Sequence, residues 1–219
     1  MNQVKFVATC LFVLGLFLNV SSANAQEDVL KMDVIGVMYV NNFDHVYSDR
    51  GTGAEEDLSI WKPQLPSGYH ALGHYAKAGY DAPTESMPVV RAIDPTALAH
   101  PVDYQRFYAD NGTGGDQDAS FWIPIPPAGY KALGTVAMSS YNKPSLTDVV
   151  CVRENLVVPA VIGQPIWTDR ASGGDMDVAL WAIEAVSHSG TIPSGSFCGH
   201  ASYNQLTRSE VCYALKTGW

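Results

Sequence analysis

Residues 110–122, DNGTGGDQDASFW, carry a pattern that this chain writes three times. DRGTGAEEDLSIW opens at Asp49 and DRASGGDMDVALW at Asp169, with both aspartates and the tryptophan at the same offsets. The second copy starts 61 residues after the first and the third 59 after the second, which is room for three or four strands with their turns in each unit. Three sheets with one apolar face each can bury those faces only against one another. That predicts an all-β, pseudo-threefold, β-prism-like single domain built from three repeats of about 60 residues. The expected repeats are 34–94, 95–156 and 157–216, with Trp61, Trp122 and Trp181 as candidates for the shared core.

The first two copies align furthest, SIWKPQLPSGYHALG from Ser59 against SFWIPIPPAGYKALG from Ser120. Each reads as strand, proline-rich turn, strand. Pro63, Pro66, Pro124, Pro126 and Pro127 exclude a helix there and argue against a central hydrogen-bonded strand, and Gly68 and Gly129 mark the turn. A further Val-rich strand is expected to close each unit, over residues 88–93, 148–153 and 210–215. Helical periodicity is absent over any long window.

The N-terminus reads differently. Lys5 precedes an apolar run from Phe6 to Val20, and Ala23-Asn24-Ala25 follows. That layout predicts a secretory signal peptide over residues 1–25, and the run is too short for a spanning helix. Removing 25 of 219 residues leaves 194, spanning 26–219 and enough for one core. Because the leader carries Lys5 and no acid, the net charge of −9 becomes −10. Such a surface repels phosphate backbones, so no nucleic-acid partner is expected. The expected location is extracellular or periplasmic.

Cys151, Cys198 and Cys212 remain after the leader. Aligning the copies sets Val136 against Cys198 and Cys151 against Cys212, which favours a Cys198–Cys212 disulfide on neighbouring strands; Cys151 is the alternative partner. Neither Cys nor His spacing suits zinc, and His70 and His74, four apart on a strand, stand roughly 13 Å from each other.

The repeated loop carries the candidate site: Asp49, Gly51 and Asp57; Asp110, Gly112 and Asp118; Asp169, Gly173 and Asp177. In one reading the aspartates accept backbone N–H bonds and the glycines supply positive φ, so one corner is built three times. In the other, paired carboxylates and turn carbonyls hold a divalent cation such as calcium, or accept hydrogen bonds from sugar hydroxyls. Tyr69 and Tyr130 are candidate aromatic contacts, able to stack on a sugar or lie at a membrane surface; Tyr80, Tyr141 and Tyr203 share the ambiguity.

The pattern Asp-x-Gly-Thr-Gly-x-x-x-Asp, then Ser-Ile-Trp-Lys-Pro or Ser-Phe-Trp-Ile-Pro, then Gly-Tyr-x-Ala-Leu-Gly resembles the Vps62-related family. It is also similar to the β-tripod domains that follow perforin-like domains in some bacterial insecticidal proteins. The likeness runs from about Val34 to Lys216 and implies a non-enzymatic targeting module for a cell-surface receptor, glycan or lipid headgroup. A toxin component acting with a separate pore-forming chain is the corresponding expectation. The alternative is a hydrolase of extracellular polysaccharide using loop carboxylates. Against it, three near-identical environments do not supply the two unlike carboxylates that such chemistry needs, and no serine-nucleophile, phosphate-loop or zinc-protease motif occurs.

Overall fold

The computed structural model describes residues 30–31, 34–186, 190–204, 206 and 212–218. The expected leader, with Cys10, lies outside them, as do His188 and the start of the last expected strand at residues 210–211.

Strands follow in chain order. The first copy holds β1 (Leu30–Lys31), β2 (Ile35–Val40), β3 (Phe43–Ser48), β4 (Leu58–Pro63), β5 (Tyr75–Ala78) and β6 (Met87–Ala92). The second holds β7 (Leu98–Ala99), β8 (Asp103–Ala109), β9 (Ser120–Ile125), β10 (Tyr130–Lys131), β11 (Val136–Met138) and β12 (Cys151–Arg153). A 3-10 turn, Glu154–Leu156, leads into β13 (Val157–Pro159), β14 (Val161–Thr168), β15 (Ala179–Glu184), β16 (Thr191–Pro193), β17 (Phe197–His200) and β18 (Tyr213–Lys216).

These strands form six antiparallel three-stranded sheets rather than the three expected. Each copy contributes one to each of two tiers. The upper tier is β3-β4-β5, β8-β9-β11 and β14-β15-β17; the lower is β1-β2-β6, β7-β12-β10 and β13-β18-β16. The upper sheets share one core, with Tyr47, Ile60, Tyr108, Phe121, Trp167, Leu180 and Phe197 among its members. The lower sheets share another, including Ile35, Val90, Leu133, Val152, Ile192 and Leu215. The molecule is therefore an all-β, pseudo-threefold β-prism with two stacked cores on one axis.

The tryptophans do hold corresponding places, but off the axis. Trp122 packs outward with Tyr104, Val136 and Val149, Trp181 with Cys198 and Cys212, and Trp61 stands edge-on to His45. Successive strand residues face opposite ways, so the preceding residues Ile60, Phe121 and Leu180 take the axis instead. Prolines also sit differently from expectation. Pro63 and Pro124 lie within the central strands β4 and β9, opposite Phe43 and Tyr104. Both lie beyond the stretch that β5 and β11 pair with, so no ladder bond is lost on that side.

Between the tiers the three chains converge. The backbone N–H of His74 donates to Thr135 O (3.0 Å), and that of Thr135 to Phe197 O (3.1 Å). The residue before each, Gly73, Gly134 and Ser196, reaches the centre. A β-carbon on either glycine would overlap Ser196, so the space admits one side chain from three copies.

Candidate functional site

Each Asp loop is first a hairpin corner. The Asp49 N–H donates to Leu58 O at 3.2 Å and Asp49 Oδ1 accepts the Leu58 N–H at 2.9 Å; Asp169 and Val178 repeat this at 3.3 and 2.9 Å. Asp110 and Ala119 make the same pair of bonds. A turn follows, with the N–H of Thr52, Thr113 and Ser172 donating to the carbonyl of the loop's own first aspartate. Gly51 and Gly112 take φ near +81° and +84°, while Ala171 holds the same place in the third loop at +64°. Gly173 corresponds instead to Gly53 and Gly114.

The three corners then dock into a ring. The Asp116 N–H donates to Arg50 O (2.8 Å), that of Asp175 to Asn111 O (2.9 Å), and that of Glu55 to Arg170 O (2.9 Å). Each loop gives one bond and receives one, so the ring closes over the upper core. The packing is close as well. A β-carbon on Gly115 would come within 2.8 Å of the Thr52 methyl, and one on Gly174 within 3.0 Å of the Thr113 methyl. At the equivalent positions of the third junction the sequence has Ala54 and Ser172, a β-carbon gained where the facing residue lacks a methyl.

Asp49, Asp110 and Asp169 are buried, and the partner aspartates Asp57, Asp118 and Asp177 are exposed. A tyrosine hydroxyl bridges each pair. Tyr141 Oη donates to Asp110 Oδ1 (2.9 Å) and reaches Asp118 Oδ1 (3.3 Å); Tyr80 joins Asp49 to Asp57, and Tyr203 joins Asp169 to Asp177. Asp49 has a further donor, Trp167 Nε1 at 2.8 Å, which also reaches Glu56 O. Burial raises the carboxyl pKa of all three inner aspartates, and the hydrogen bonds they accept oppose that rise. Desolvation, with the adjoining carboxylates, pushes the Tyr141 phenol up to about 12.

All nine candidate loop residues therefore lie at one end of the prism. Tyr69 and Tyr130 do not join them: Tyr69 is buried with Met38 and Val89, and Tyr130 Oη donates to Thr96 O (2.7 Å), both in the lower tier. Two of the three bridging tyrosines, Tyr141 and Tyr203, were visible in the sequence as aligned Tyr-Asn pairs at 141–142 and 203–204. Trp167 carried no such signal. Among the described residues no group of three His, Cys, Asp or Glu side chains converges to hold a metal ion. His70 stands 5.9 Å from His100, ring centre to ring centre, and His74 is buried with Nδ1 accepting the Ala137 N–H.

Cys198 and Cys212 are joined, with Cα atoms 5.9 Å apart, and Cys151 is a buried free thiol. The ladders correct the expected alignment. Val152 lies opposite Leu98 as Leu215 lies opposite Val157, so Cys212 corresponds to Val149, not to Cys151. Val136 and Val149, packed in one cluster, are the apolar counterpart of the disulfide.

Two threefold tiers under a ring of docked loops define the β-tripod class. The crystal structure of GNIP1Aa from Chromobacterium piscinae is similar, with a TM-score of 0.73 and 30% identity, covering 84% of this chain and 37% of that one. This chain thus spans little more than a third of that protein's length. It belongs to the family described as vacuolar protein sorting-associated protein 62, matching it over residues 19–217. No curated protein sequence matches the chain.

Proposed function

We propose that this chain is an exported, non-enzymatic recognition module, and that its ring of Asp loops meets a receptor, glycan or lipid headgroup on a target cell. The observation that carries this reading is the division of labour within each loop. The inner aspartate is spent on the corner, whereas the outer aspartate and its tyrosine stand at the open end of a frame held by inter-copy hydrogen bonds. Rigid scaffolds presenting polar loops lower the ordering cost of binding. The likeness to GNIP1Aa supports a place in a toxin assembly, with any pore-forming part supplied by another chain.

A polysaccharide hydrolase would need both carboxylates of a pair at its substrate. Here a raised-pKa aspartate does sit beside an exposed one, but its oxygens are taken by a backbone N–H and a phenol, and its side chain is shut away from solvent. Binding of the labelled chain to a glycan array, to target cells and to liposomes, with and without EDTA, tests the proposal. The Asp57→Asn, Asp118→Asn, Asp177→Asn triple variant is expected to lose binding while keeping its melting temperature within a few degrees. Sugar release from a polysaccharide panel without stable binding would refute it in favour of the hydrolase.

A further inference from the structure

The ring is not threefold in one respect. In the first copy the Arg50 guanidinium lies 3.7 Å from the centre of the Tyr80 ring, and in the third Arg170 lies 4.0 Å from that of Tyr203. The second copy has Asn111 at this place. Tyr141 is 39% exposed, more than either counterpart, although its hydroxyl is held between Asp110 and Asp118 as theirs are. The cations nearby in sequence are engaged elsewhere: Lys143 pairs with Asp103 at 2.6 Å and Arg106 lies over Trp122. Two copies thus show what this aromatic-carboxylate setting holds, and the third presents it open.

We propose that the exposed Tyr141, beside the exposed carboxylate of Asp118, is a seat for an arginine side chain presented by a partner protein. A guanidinium stacks on an aromatic face, as Arg50 and Arg170 do on Tyr80 and Tyr203, and the negative charge of Asp118 beside the ring adds to the attraction. The seven exposed carboxylates of the ring, Glu55, Glu56, Asp57, Asp116, Asp118, Asp175 and Asp177, face only two exposed arginines there, so the field draws a basic partner towards it. The inference deepens the recognition reading and rests on it.

The test fills the seat from within. In Asn111→Arg the second copy acquires the residue that the other two already have, so the variant is expected to fold with no loss of melting temperature. Titrating N-acetyl-arginine amide into the isotopically labelled chain should shift the amides of Asn111, Tyr141 and Asn142. Tyr141→Leu should weaken binding by roughly five-fold, and Asn111→Arg should abolish those shifts. Equal binding by Asn111→Arg, or no shift in the parent chain, would overturn the proposal. So would phosphatidylcholine vesicles or N-acetylglucosamine binding in an Asn111→Arg-sensitive way where the arginine probe does not. If arginine fails while the chain still binds cells or glycans, only this seat is wrong. If arginine binds and no cell, glycan or liposome does, the wider reading fails instead.

Discussion

The first two copies and the third reach the same shape by different chemistry. In the first two, the tryptophan that follows the Asp loop is held from within its strand: Trp61 Nε1 donates to Ser59 Oγ (2.9 Å) and Trp122 Nε1 to Ser120 Oγ (2.8 Å), and each serine hydroxyl donates onward to a carbonyl. The third copy has Ala179 there, and Trp181 Nε1 is buried with no partner. It also carries Ala171 where the others have glycine at positive φ. Against these losses it alone has a disulfide, joining Cys198 of the upper sheet to Cys212 beside the lower one. Symmetry here preserves positions and the volumes around the axis, while the bonds that hold each position are exchangeable.

The axis itself is where exchange should fail most severely. Gly134→Ala puts a β-carbon into Ser196, with backbone also close, and overlap of this kind in a rigid core costs upwards of about 4 kcal/mol. The chain is expected to be insoluble or to melt far below the parent. If only one side chain is admitted, moving it between copies should restore the fold, so Gly134→Ala with Ser196→Gly should recover most of the loss in thermal denaturation. Failure of the double variant would mean that Ser196 matters for its hydrogen bonds to Thr135 rather than for the space it fills.

One residue beyond that point the copies differ in a titratable way. His74 Nδ1 accepts the Ala137 N–H as Thr135 Oγ1 accepts the Gly199 N–H, so imidazole and hydroxyl do the same work. Burial holds the His74 pKa down at about 4, with Lys62 adding to the depression and Asp148 opposing it. Because the folded value lies below the unfolded one, the unfolded chain takes up the proton first, and stability falls as pH drops from about 6.5 to about 4, by about 3 kcal/mol. The buried aspartates act in the opposite sense, since their raised values favour the folded state as they protonate. The difference between parent and His74→Thr isolates the histidine: the variant's unfolding free energy should lack that slope, and an unchanged slope would remove His74 as its source.

The disulfide should be worth a similar amount. Its cysteines are 14 residues apart, and closing a loop of that size stabilises by about 3 kcal/mol. Cys198→Val with Cys212→Val copies the Val136–Val149 pair of the second repeat. If position is what symmetry preserves, this variant should retain the fold and lose less in chemical denaturation than the double alanine variant, which leaves a cavity as well. Equal losses would show that the third copy depends on the covalent link itself.

Much of this was legible in the sequence because the repeat is. Three aligned loops gave the number of units and the β class, and the Asp-Gly pattern gave the corners. The face that each tryptophan takes was not legible. Ser-Ile-Trp, Ser-Phe-Trp and Ala-Leu-Trp place two apolar residues side by side, so alternation alone does not say which looks inward, and the bulges opposite them between His45 and Tyr47 and between Arg106 and Tyr108 obscure the period further. Nor was the ring visible, because its bonds run between copies through backbone atoms that carry no side-chain signature. The exchange of Arg50 and Arg170 for Asn111 stood in plain view, but it acquires meaning only once a tyrosine from the end of the same repeat is known to lie beneath it. Long-range pairing, rather than composition, separates what was readable from what was not.

The smallest expected effect bears most directly on whether the copies are interchangeable. Ala179→Ser would place a hydroxyl where Ser59 and Ser120 have theirs, two residues before a tryptophan whose Nε1 lacks an acceptor. By the correspondence of Ser140 with Ser202, the Ser202 carbonyl is the counterpart of the acceptor that the Ser120 hydroxyl uses. Satisfying a buried donor is worth about 1 kcal/mol, offset in part by the cost of burying the hydroxyl. The variant is therefore expected to be more stable than the parent by an amount resolvable as a small rise in denaturation midpoint. A serine that destabilises would show that the third sheet has closed around the missing oxygen, and that its departure from symmetry is in the backbone as well as in the side chain.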